Sequence, residues 1–209
     1  MNILAIGAHF DDIELGCGGT LAKHVANGDH VLAFVATKSG YSNPNNKIIR
    51  PNQIAYKEGL AGMEILGVRL ICGGFRTFKL EFGEKLNRKI LSIIEKEKID
   101  RIYTHWHGDI HHDHQIISKS TLHCGKHVQQ ILMYRSNWYK AAISFKGNFF
   151  VDISNFLNKK EAAIRAHKSE MRRTGRKWLR YFKNEAENAG LISGVQYAEA
   201  FELTKWTEK

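Results

Sequence analysis

The sequence predicts an α/β fold with a mostly parallel sheet and helices on both faces, in three layers. Short apolar runs alternate with segments of helical periodicity over most of the chain, which is typical of βαβ units. Of the 209 residues, 43% are hydrophobic and 25% charged. This composition supports a single soluble domain, 1–209, with a sizeable core.

The predicted strands are buried apolar runs, and the helices between them show apolar residues at helical spacing. In chain order, the strands are NILAIGA, HVLAFVAT, VRLICGGF, RIYTHW and QQILMYRS. The intervening helices are TLAKHVANGD, NQIAYKEGLAGMEILG, EKLNRKILSIIEKEKID and HQIISKSTLHCGKH. Residues 158–190 are expected to be helical, and the final segment, YAEAFELTKW, fits a strand or an edge segment.

The location and the partners are constrained by charge and by cysteine usage. No stretch approaches the ~20 apolar residues of a membrane span, and the N-terminus lacks the basic region of a secretory signal. Cys17, Cys72 and Cys124 are odd in number and widely spaced, which does not fit a disulfide framework. We therefore expect a cytoplasmic protein without a membrane span.

The net charge of +10 is concentrated in residues 159–183, where ten lysines and arginines face two glutamates. Such a segment attracts nucleic acid, an acidic membrane surface or a phosphorylated small substrate, or it is simply a solvated helical face. Trp178, Tyr181 and Phe182 are interleaved with these charges, and they fit either base stacking or a buried helical stripe.

Two polar loops follow predicted strands and hold the candidate site. His9, Asp11 and Asp12 follow the first strand, and the segment 104–115, THWHGDIHHDHQ, follows the fourth. In an open parallel sheet, ligands bind in the crevice at the carboxyl ends of the strands. Alone, HFDD also fits a polar turn that caps a helix, and HHDH a solvated loop. Their placement on adjacent crevice loops favours a metal site.

Two histidines and a carboxylate form a catalytic zinc site when one position stays open for water. A second carboxylate can then act as general base, and a further histidine can stabilise an oxyanion or protonate a leaving amine. This combination predicts metal-assisted hydrolysis of an amide or ester. A closed structural zinc site is not expected, because no cysteine-rich cluster is present.

At these residues the chain resembles the PIG-L/LmbE-like zinc de-N-acetylases. The resemblance is carried, in order, by GAHFDDIELGCGGTLA, EGLAGMEILGV, HHDH, AAIRAHKSE and YAEAFEL. It therefore spans nearly the whole chain and implies a Rossmann-like parallel sheet. It also implies removal of an N-acetyl group from an amino sugar or sugar conjugate.

The resemblance implies roles for individual residues. His9, Asp12 and His114 match the ligands of one Zn²⁺ per chain. Asp11 matches the general base, and His111 matches the histidine that acts on the oxyanion or leaving group. Asp113 is implied to orient His111. Because family members often assemble, a homo-oligomer is expected.

The chain also departs from the family pattern. Phe10 and His112 stand where proline is usual, and Ala55 stands where an arginine precedes the helix glutamate matched by Glu58. Arg50 lies nearby and, with Arg172 and Arg173 of the basic segment, is a candidate substrate ligand. The substrate is then a small N-acetylated sugar conjugate, with a phosphorylated or nucleotide-linked sugar as one candidate.

Two further questions concern the first motif and the function class. We expect Gly16, Gly18 and Gly19 to allow close helix packing, because their spacing matches neither phosphate-binding loop. Cys17 is expected to be a packed residue. Nucleic acid is not the expected partner, and the alternative is a basic nucleic-acid- or anion-binding module on the same fold, without turnover.

Overall fold

The computed structural model describes residues 1–207. Its strands are β1 (Asn2–Gly7), β2 (His30–Thr37), β3 (Tyr41–Ser42), β4 (Ile48–Arg50), β5 (Arg69–Phe75), β6 (Arg101–His105), β7 (Gln130–Tyr134), β8 (Phe149–Asp152) and β9 (Ala198–Trp206). Its α-helices are α1 (Asp12–Ala26), α2 (Asn52–Leu66), α3 (Glu84–Lys96), α4 (His112–Cys124), α5 (Leu157–Ala166), α6 (Lys168–Thr174) and α7 (Lys177–Ser193). Within that range, every helix is too short or too polar to cross a bilayer.

Seven strands form the central sheet in the order β5-β2-β1-β6-β7-β9-β8. The first five are parallel, as predicted, because each is a short, mostly apolar run separated from the next by a crossover. β9 runs antiparallel to both β7 and β8. The chain moves outward from β1 in one direction and returns to β6 on its other side. The crevice between β1 and β6 is therefore the switch point where ligands bind in such sheets.

Helices cover both faces of the sheet and give the three predicted layers. On one face, α1, α2 and α5 pack around side chains such as Ile13, Met63 and Ala163. On the other face, α3 and α4 contribute Ile90 and Ile117 to a second core. Both apolar clusters include alternating residues of β1, which is almost wholly buried. The central strand is thus packed on both faces, and this packing anchors the start of the loop that follows it.

The first helix begins earlier than expected. α1 starts at Asp12 and includes all three glycines of GCGG, with a break in helical geometry at Cys17 (φ −144°, ψ 18°). A Cβ on Gly16 would lie 2.1 Å from the ring of Tyr134, and one on Gly19 would lie 2.8 Å from Ile153. Glycine is therefore required by close packing against β7 and the segment after β8. Cys17 is fully buried, as expected of a packed residue.

The C-terminal region adds structure that sequence periodicity did not resolve. Residues 158–190 form three helices rather than one continuous segment, with breaks at His167 and Gly175. YAEAFELTKW forms β9, and the short strands β3, β4 and β8 were not predicted. The β3–β4 hairpin lies beside the crevice, where Arg50 is carried into the site.

Candidate active site

Seven of the nine predicted site residues line a cavity of about 330 Å³ at the switch point; Asp113 and Arg172 do not. The loop after β1 supplies His9, Asp11 and Asp12, and the start of α4 supplies His111 and His114. Asp12 is 4% exposed and His114 is also 4% exposed. These polar groups are buried beneath an opening, as in sites that hold a cation or a reacting molecule.

Three side chains bring potential metal-ligand atoms close together. The Nδ1 of His9 lies 3.4 Å from the Nε2 of His114. Asp12 Oδ2 lies 3.3 Å from the same His9 nitrogen, and Asp12 Oδ1 lies 3.2 Å from the same His114 nitrogen. Around a tetrahedral Zn²⁺ with ordinary bond lengths, neighbouring ligand atoms are separated by roughly 3.3–3.5 Å. The donor set and its spacing therefore fit a metal with two histidines and one carboxylate.

Carboxylates behind the two histidines fix which nitrogen faces the centre. His9 Nε2 lies 3.0 Å from Asp113 Oδ2, and His114 Nδ1 lies 2.9 Å from Asp109 Oδ2. Each histidine donates its outer N–H to that carboxylate, so the inner nitrogen of the neutral ring carries a lone pair. This is the outer-shell arrangement typical of metal-ligating histidines.

The structure changes the role expected for Asp113. Its carboxylate contacts His9 rather than the ring of His111, and it also accepts the backbone N–H groups of Phe78 and Leu80 at 2.7 and 3.3 Å. His111 is instead oriented by the backbone N–H of Asp113, which its Nδ1 accepts at 3.2 Å. The proton of neutral His111 is therefore on Nε2, available to donate into the cavity.

His105, at the end of β6, is a site residue that the sequence motifs did not single out. It is fully buried, and its Nε2 lies 3.1 Å from Asp12 Oδ2. Asp12, His105 and His114 form a second group of close donors, as do His9, His111 and His114. However, Nε2 of His105 also accepts the N–H of Ala8 at 3.0 Å. Because the Ala8 N–H already occupies that nitrogen, His105 is less suited to binding a metal than His9 and His114.

Asp11 stands on a strained backbone and faces the cavity. Its φ of 126° lies in the region that non-glycine residues rarely adopt. Its carboxylate does not cap α1; Oδ2 instead accepts a hydrogen bond from Nη1 of Arg50 at 3.0 Å. The same Arg50 nitrogen donates to the carbonyl of Phe10 at 3.0 Å, so one guanidinium holds both the backbone and the side chain of this turn.

Arg50 is itself held in place by a buried chain of polar groups. Its Nη2 contacts Glu58 Oε2 at 3.2 Å and His167 Nδ1 at 3.0 Å, and His167 Nε2 contacts Glu14 at 2.8 Å. The side chain of Arg50 is only 2% exposed. Arg50, predicted as a substrate ligand, lines the cavity, and its contacts in the structure are with Asp11 and the buried polar groups behind it.

The pKa values of the three cavity histidines differ sharply. Burial opposes protonation of His9 and His114, but hydrogen bonds and charge from Asp113, Asp12 and Asp109 raise their pKa values to about 9 and about 10. A metal must displace these protons. Burial and the two neighbouring imidazoles lower the pKa of His111 to about 4.

The pKa values of the adjacent residues Asp11 and Asp12 are shifted in opposite directions. Burial raises the pKa of Asp11 to about 7, against the opposing charge of Arg50. The pKa of Asp12 is held well below its usual range, because His114 and His105 outweigh its burial. A carboxyl group with a pKa near neutrality and a carboxylate that stays ionised are therefore placed side by side.

The two arginines of the basic segment lie differently. Arg173 lines the cavity, where its Nε donates to Glu170 Oε2 at 2.7 Å. Tyr41 donates to the other oxygen of Glu170 at 2.8 Å. Arg172 is exposed and is not among the residues that line the cavity. Phe10 packs against Gly59 and Tyr56, away from the lining.

A mostly parallel sheet between two layers of helices, with two histidines and a carboxylate close together at its switch point, is typical of metal-dependent hydrolases of the α/β class. The sequence profile described as PIG-L: GlcNAc-PI de-N-acetylase matches residues 4–124. The chain belongs to this family of metal-dependent amide hydrolases.

Relatives of known name agree with this assignment. The chain is 33% identical over 183 residues to the uncharacterized deacetylase YaiS of Escherichia coli, with 80% of this chain and 90% of the relative covered. It is 25% identical to the diacetylchitobiose deacetylase of Thermococcus kodakarensis, with 94% of this chain and 80% of the relative covered. The N,N'-diacetylchitobiose deacetylase from Pyrococcus horikoshii, solved with its inhibitor MPG, shares the fold with a TM-score of 0.83 at 22% identity, covering 97% and 83% of the two chains.

Proposed function

We propose that this protein removes an N-acetyl group from an amino sugar or sugar conjugate, releasing acetate and a free amine. The observation that carries the proposal is the convergence of His9, Asp12 and His114 within 3.2–3.4 Å of one another, with both imidazoles oriented by carboxylates. Asp11 and His111 line the same cavity. The named relatives that act on diacetylchitobiose support an N-acetylated sugar as substrate.

We assign one Zn²⁺ per chain to His9, Asp12 and His114. A zinc ion in such a site supplies a Lewis acid for the acetamide carbonyl and lowers the pKa of bound water to about 7. The contacts of Asp12 suit this ligand role: Ser136 donates to its Oδ1 at 3.0 Å, and the backbone N–H of His9 donates to its Oδ2 at 2.7 Å. These bonds hold the carboxylate in one orientation before any cation binds.

Asp11 is proposed to accept the proton of the attacking water. Its carboxylate lies in the cavity wall beside Asp12, and Arg50 fixes it through Oδ2. A base that is already oriented loses little entropy when the reaction begins. Asp11 then returns the proton to the departing amine nitrogen, which cannot leave as an anion at neutral pH.

His111 is proposed to stabilise the negative charge that develops on the carbonyl oxygen. Its Nδ1 is engaged by the backbone of Asp113, so Nε2 is the nitrogen that donates. A donor held in this way before the reaction is worth about 10²–10³ in turnover at comparable oxyanion sites. His9 and His111 meet edge to face with ring centroids 4.8 Å apart, which limits rotation of the donor.

The cavity walls suit a sugar. The metal-ligand cluster forms its floor, and its rim carries aromatic side chains. These are Tyr41, Phe78, Trp138 and Tyr139. Aromatic faces present apolar surface to the C–H groups of a pyranose, while the polar floor receives the acetamide group.

The alternative of a nucleic-acid-binding module is not favoured. Trp178 and Phe182 are 8% and 5% exposed, and they pack with Leu15 and Ile164 in a separate apolar cluster. These aromatic residues are therefore a buried stripe, not a stacking surface, and residues 159–183 present a solvated basic face over them.

The proposal is tested by acetate release from N-acetylglucosamine and diacetylchitobiose, together with metal analysis of each variant. Asp11→Asn should retain zinc and lose turnover, because asparagine tolerates the same backbone conformation but cannot accept the proton. His114→Ala should lose the metal. His123→Ala, an exposed histidine of α4, is the matched control.

Full metal content in His114→Ala would contradict the ligand assignment. Loss of metal in Asp11→Asn would mean that the two aspartates exchange roles. Turnover that survives complete removal of metal by a chelator would contradict the proposed chemistry altogether.

Cys17, Cys72 and Cys124 are all free thiols. We propose a cytoplasmic enzyme that assembles as a homo-oligomer. Light scattering of the purified protein, with fractionation of cells that express it, tests both statements: a monomer, or recovery outside the cytoplasmic fraction, would contradict them.

A further inference from the structure

A second, larger concavity opens directly beside the active site. It measures about 840 Å³, against about 330 Å³ for the catalytic cavity. Its walls are the loop after β2, the β3–β4 hairpin, the start of α2 and the loop after β5. Tyr41, Arg50, Thr77 and Phe78 line both concavities, so the two are neighbours that share a wall. We call the larger one the cationic groove.

The cationic groove carries positive charge that the protein itself does not neutralise. Lys38, Arg76 and Lys79 line it and are exposed, and within residues 1–207 none of the three makes a salt bridge. Over the same range, no acidic residue lines the groove. By contrast, Arg173 in the catalytic cavity is paired with Glu170.

Sheet topology places these charges close together. Thr37 of β2 pairs with Phe75 of β5, so Lys38 and Arg76 are the next residues on two adjacent strands. The backbone N–H of Lys38 also donates to the carbonyl of Phe75 at 2.9 Å, which ties the two loops together. The charges are therefore fixed at the carboxyl edge of the sheet, beside the switch point.

The loop after β5 joins the groove to the reaction centre. Phe78 lies between Arg76 and Lys79 in sequence; its ring lies 5.5 Å from that of His111, and its N–H donates to Asp113. Two residues span at most about 7 Å of chain. The backbone of Arg76 thus lies within about 7 Å of that of Phe78, the residue whose ring contacts His111.

Backbone strain is concentrated around the same region. Among residues 1–207, five non-glycine residues have positive φ, and three of them, Ser39, Asn46 and Phe78, line one or both of the concavities at φ values of 59°, 61° and 61°. Asp11 is a fourth, at the catalytic cavity. Strained conformations of this kind are unfavourable and cluster at ligand sites. The walls of the cationic groove therefore include residues held in unfavourable backbone conformations.

We propose that the cationic groove binds an anionic substituent of the substrate, so that the enzyme acts on an N-acetylated amino sugar bearing a phosphate or carboxylate group. This inference rests on the proposed deacetylase function and specifies its substrate class. The sugar occupies the aromatic-walled cavity, and the anionic substituent extends past Phe78 to Lys38, Arg76 and Lys79. The basic segment 159–183 is not required for this recognition.

The experiment compares kcat/KM for acetate release from neutral N-acetylglucosamine, N-acetylglucosamine 1-phosphate, N-acetylglucosamine 6-phosphate and N-acetylmuramic acid. The two phosphates and the carboxylate distinguish the source of the anion. One variant carries Lys38→Gln, Arg76→Gln and Lys79→Gln. Its matched control carries Lys159→Gln, Lys177→Gln and Arg180→Gln, which removes the same charge from exposed positions outside both concavities.

We expect wild-type enzyme to prefer at least one anionic sugar over the neutral one by about tenfold or more, the effect of a single charge-assisted contact. The groove variant should lose that preference and keep its activity on the neutral sugar. The control variant should keep both. In wild type, the preference for the anionic sugar should also fall as salt is added. The Debye length shortens from about 10 Å at 0.1 M to about 3 Å at 1 M.

Equal kcat/KM for neutral and anionic sugars in wild type would overturn the proposal. Equal losses of this preference in the groove variant and its control would also overturn it, since they would reflect only the net positive charge of the protein. If no sugar releases acetate, the proposed function fails, and calorimetric binding of N-acetylglucosamine 1-phosphate then decides the groove by itself. Binding weakened only in the groove variant would uphold it, and unchanged binding would overturn it.

Discussion

The glycines of α1 allow a sharp test of the packing that supports the active site. Gly16 and Gly18 lie two residues apart in one helix, and both are fully buried. A Cβ on Gly16 would lie 2.1–2.7 Å from three ring atoms of Tyr134, whereas one on Gly18 would meet its nearest neighbour at 3.5 Å. The same substitution to alanine therefore probes two opposite environments.

The Tyr134 ring has no room to withdraw. It is fully buried, it lies on β7 of the central sheet, and its hydroxyl donates to the carbonyl of Ile6 at 2.8 Å. Overpacking of this kind costs about 1–3 kcal/mol or more. Gly18→Ala meets ordinary contacts and gains helix propensity of about 0.5–1 kcal/mol. The two variants should differ by about 2–4 kcal/mol in the free energy of unfolding.

For a domain of this length, 1 kcal/mol shifts Tm by about 2–4 °C. Gly16→Ala should therefore melt at least several degrees below wild type, and Gly18→Ala at or above it, when both are followed by circular dichroism with metal removed. Equal melting temperatures would refute the reasoning, since they would mean that the Tyr134 ring does not lie over Gly16. A variant at Gly16 that does not fold is consistent with it, provided that Gly18→Ala folds normally.

Three further outcomes are expected. Asp113→Asn and Asp109→Asn should each weaken zinc binding by about 10–100-fold in a chelator competition, because each carboxylate orients one ligand histidine; unchanged affinity would show that the histidines are held by other contacts. Lys160→Met should lower the free energy of unfolding by about 3–5 kcal/mol, since Lys160 and Glu199 form a buried ion pair at 2.5 Å and the carboxylate is left unpaired; adding Glu199→Gln should recover part of the loss, and no recovery would contradict the pairing. Arg50→Gln should lower kcat far more than it lowers metal content, because Arg50 contacts Asp11 and not the ligand cluster; parallel loss of both would place Arg50 in the metal site.

The parallel strands and the metal motif were predictable because their signals are local. Buried parallel strands are continuous apolar runs, and HFDD and HHDH each bring their polar residues together within four positions. The start of α1 was not predictable in this way, since three glycines in four residues suggest a turn. The tertiary packing of Gly16 and Gly19 overrides that local preference.

Other parts of the site depend on contacts between distant positions. Arg50 meets His167 across 117 residues, and His167 meets Glu14 across 153. No spacing rule connects such residues, so the support of Asp11 could not be deduced. The same is true of His105, which reads as one more residue of a strand until β1 and β6 are paired. The cationic groove arises from two loops that only the sheet order brings together.

The left-handed backbone of Asp11 has a consequence for how this fold can change over time. Glycine would adopt φ 126° freely, whereas aspartate holds it at a cost of about 1–3 kcal/mol. Selection for a sturdier protein and selection for a working one therefore act in opposite directions at this position. With Asp11 as the proposed general base, a descendant released from its chemical task is expected to drift toward glycine here, so glycine at position 11 of a relative predicts lost activity.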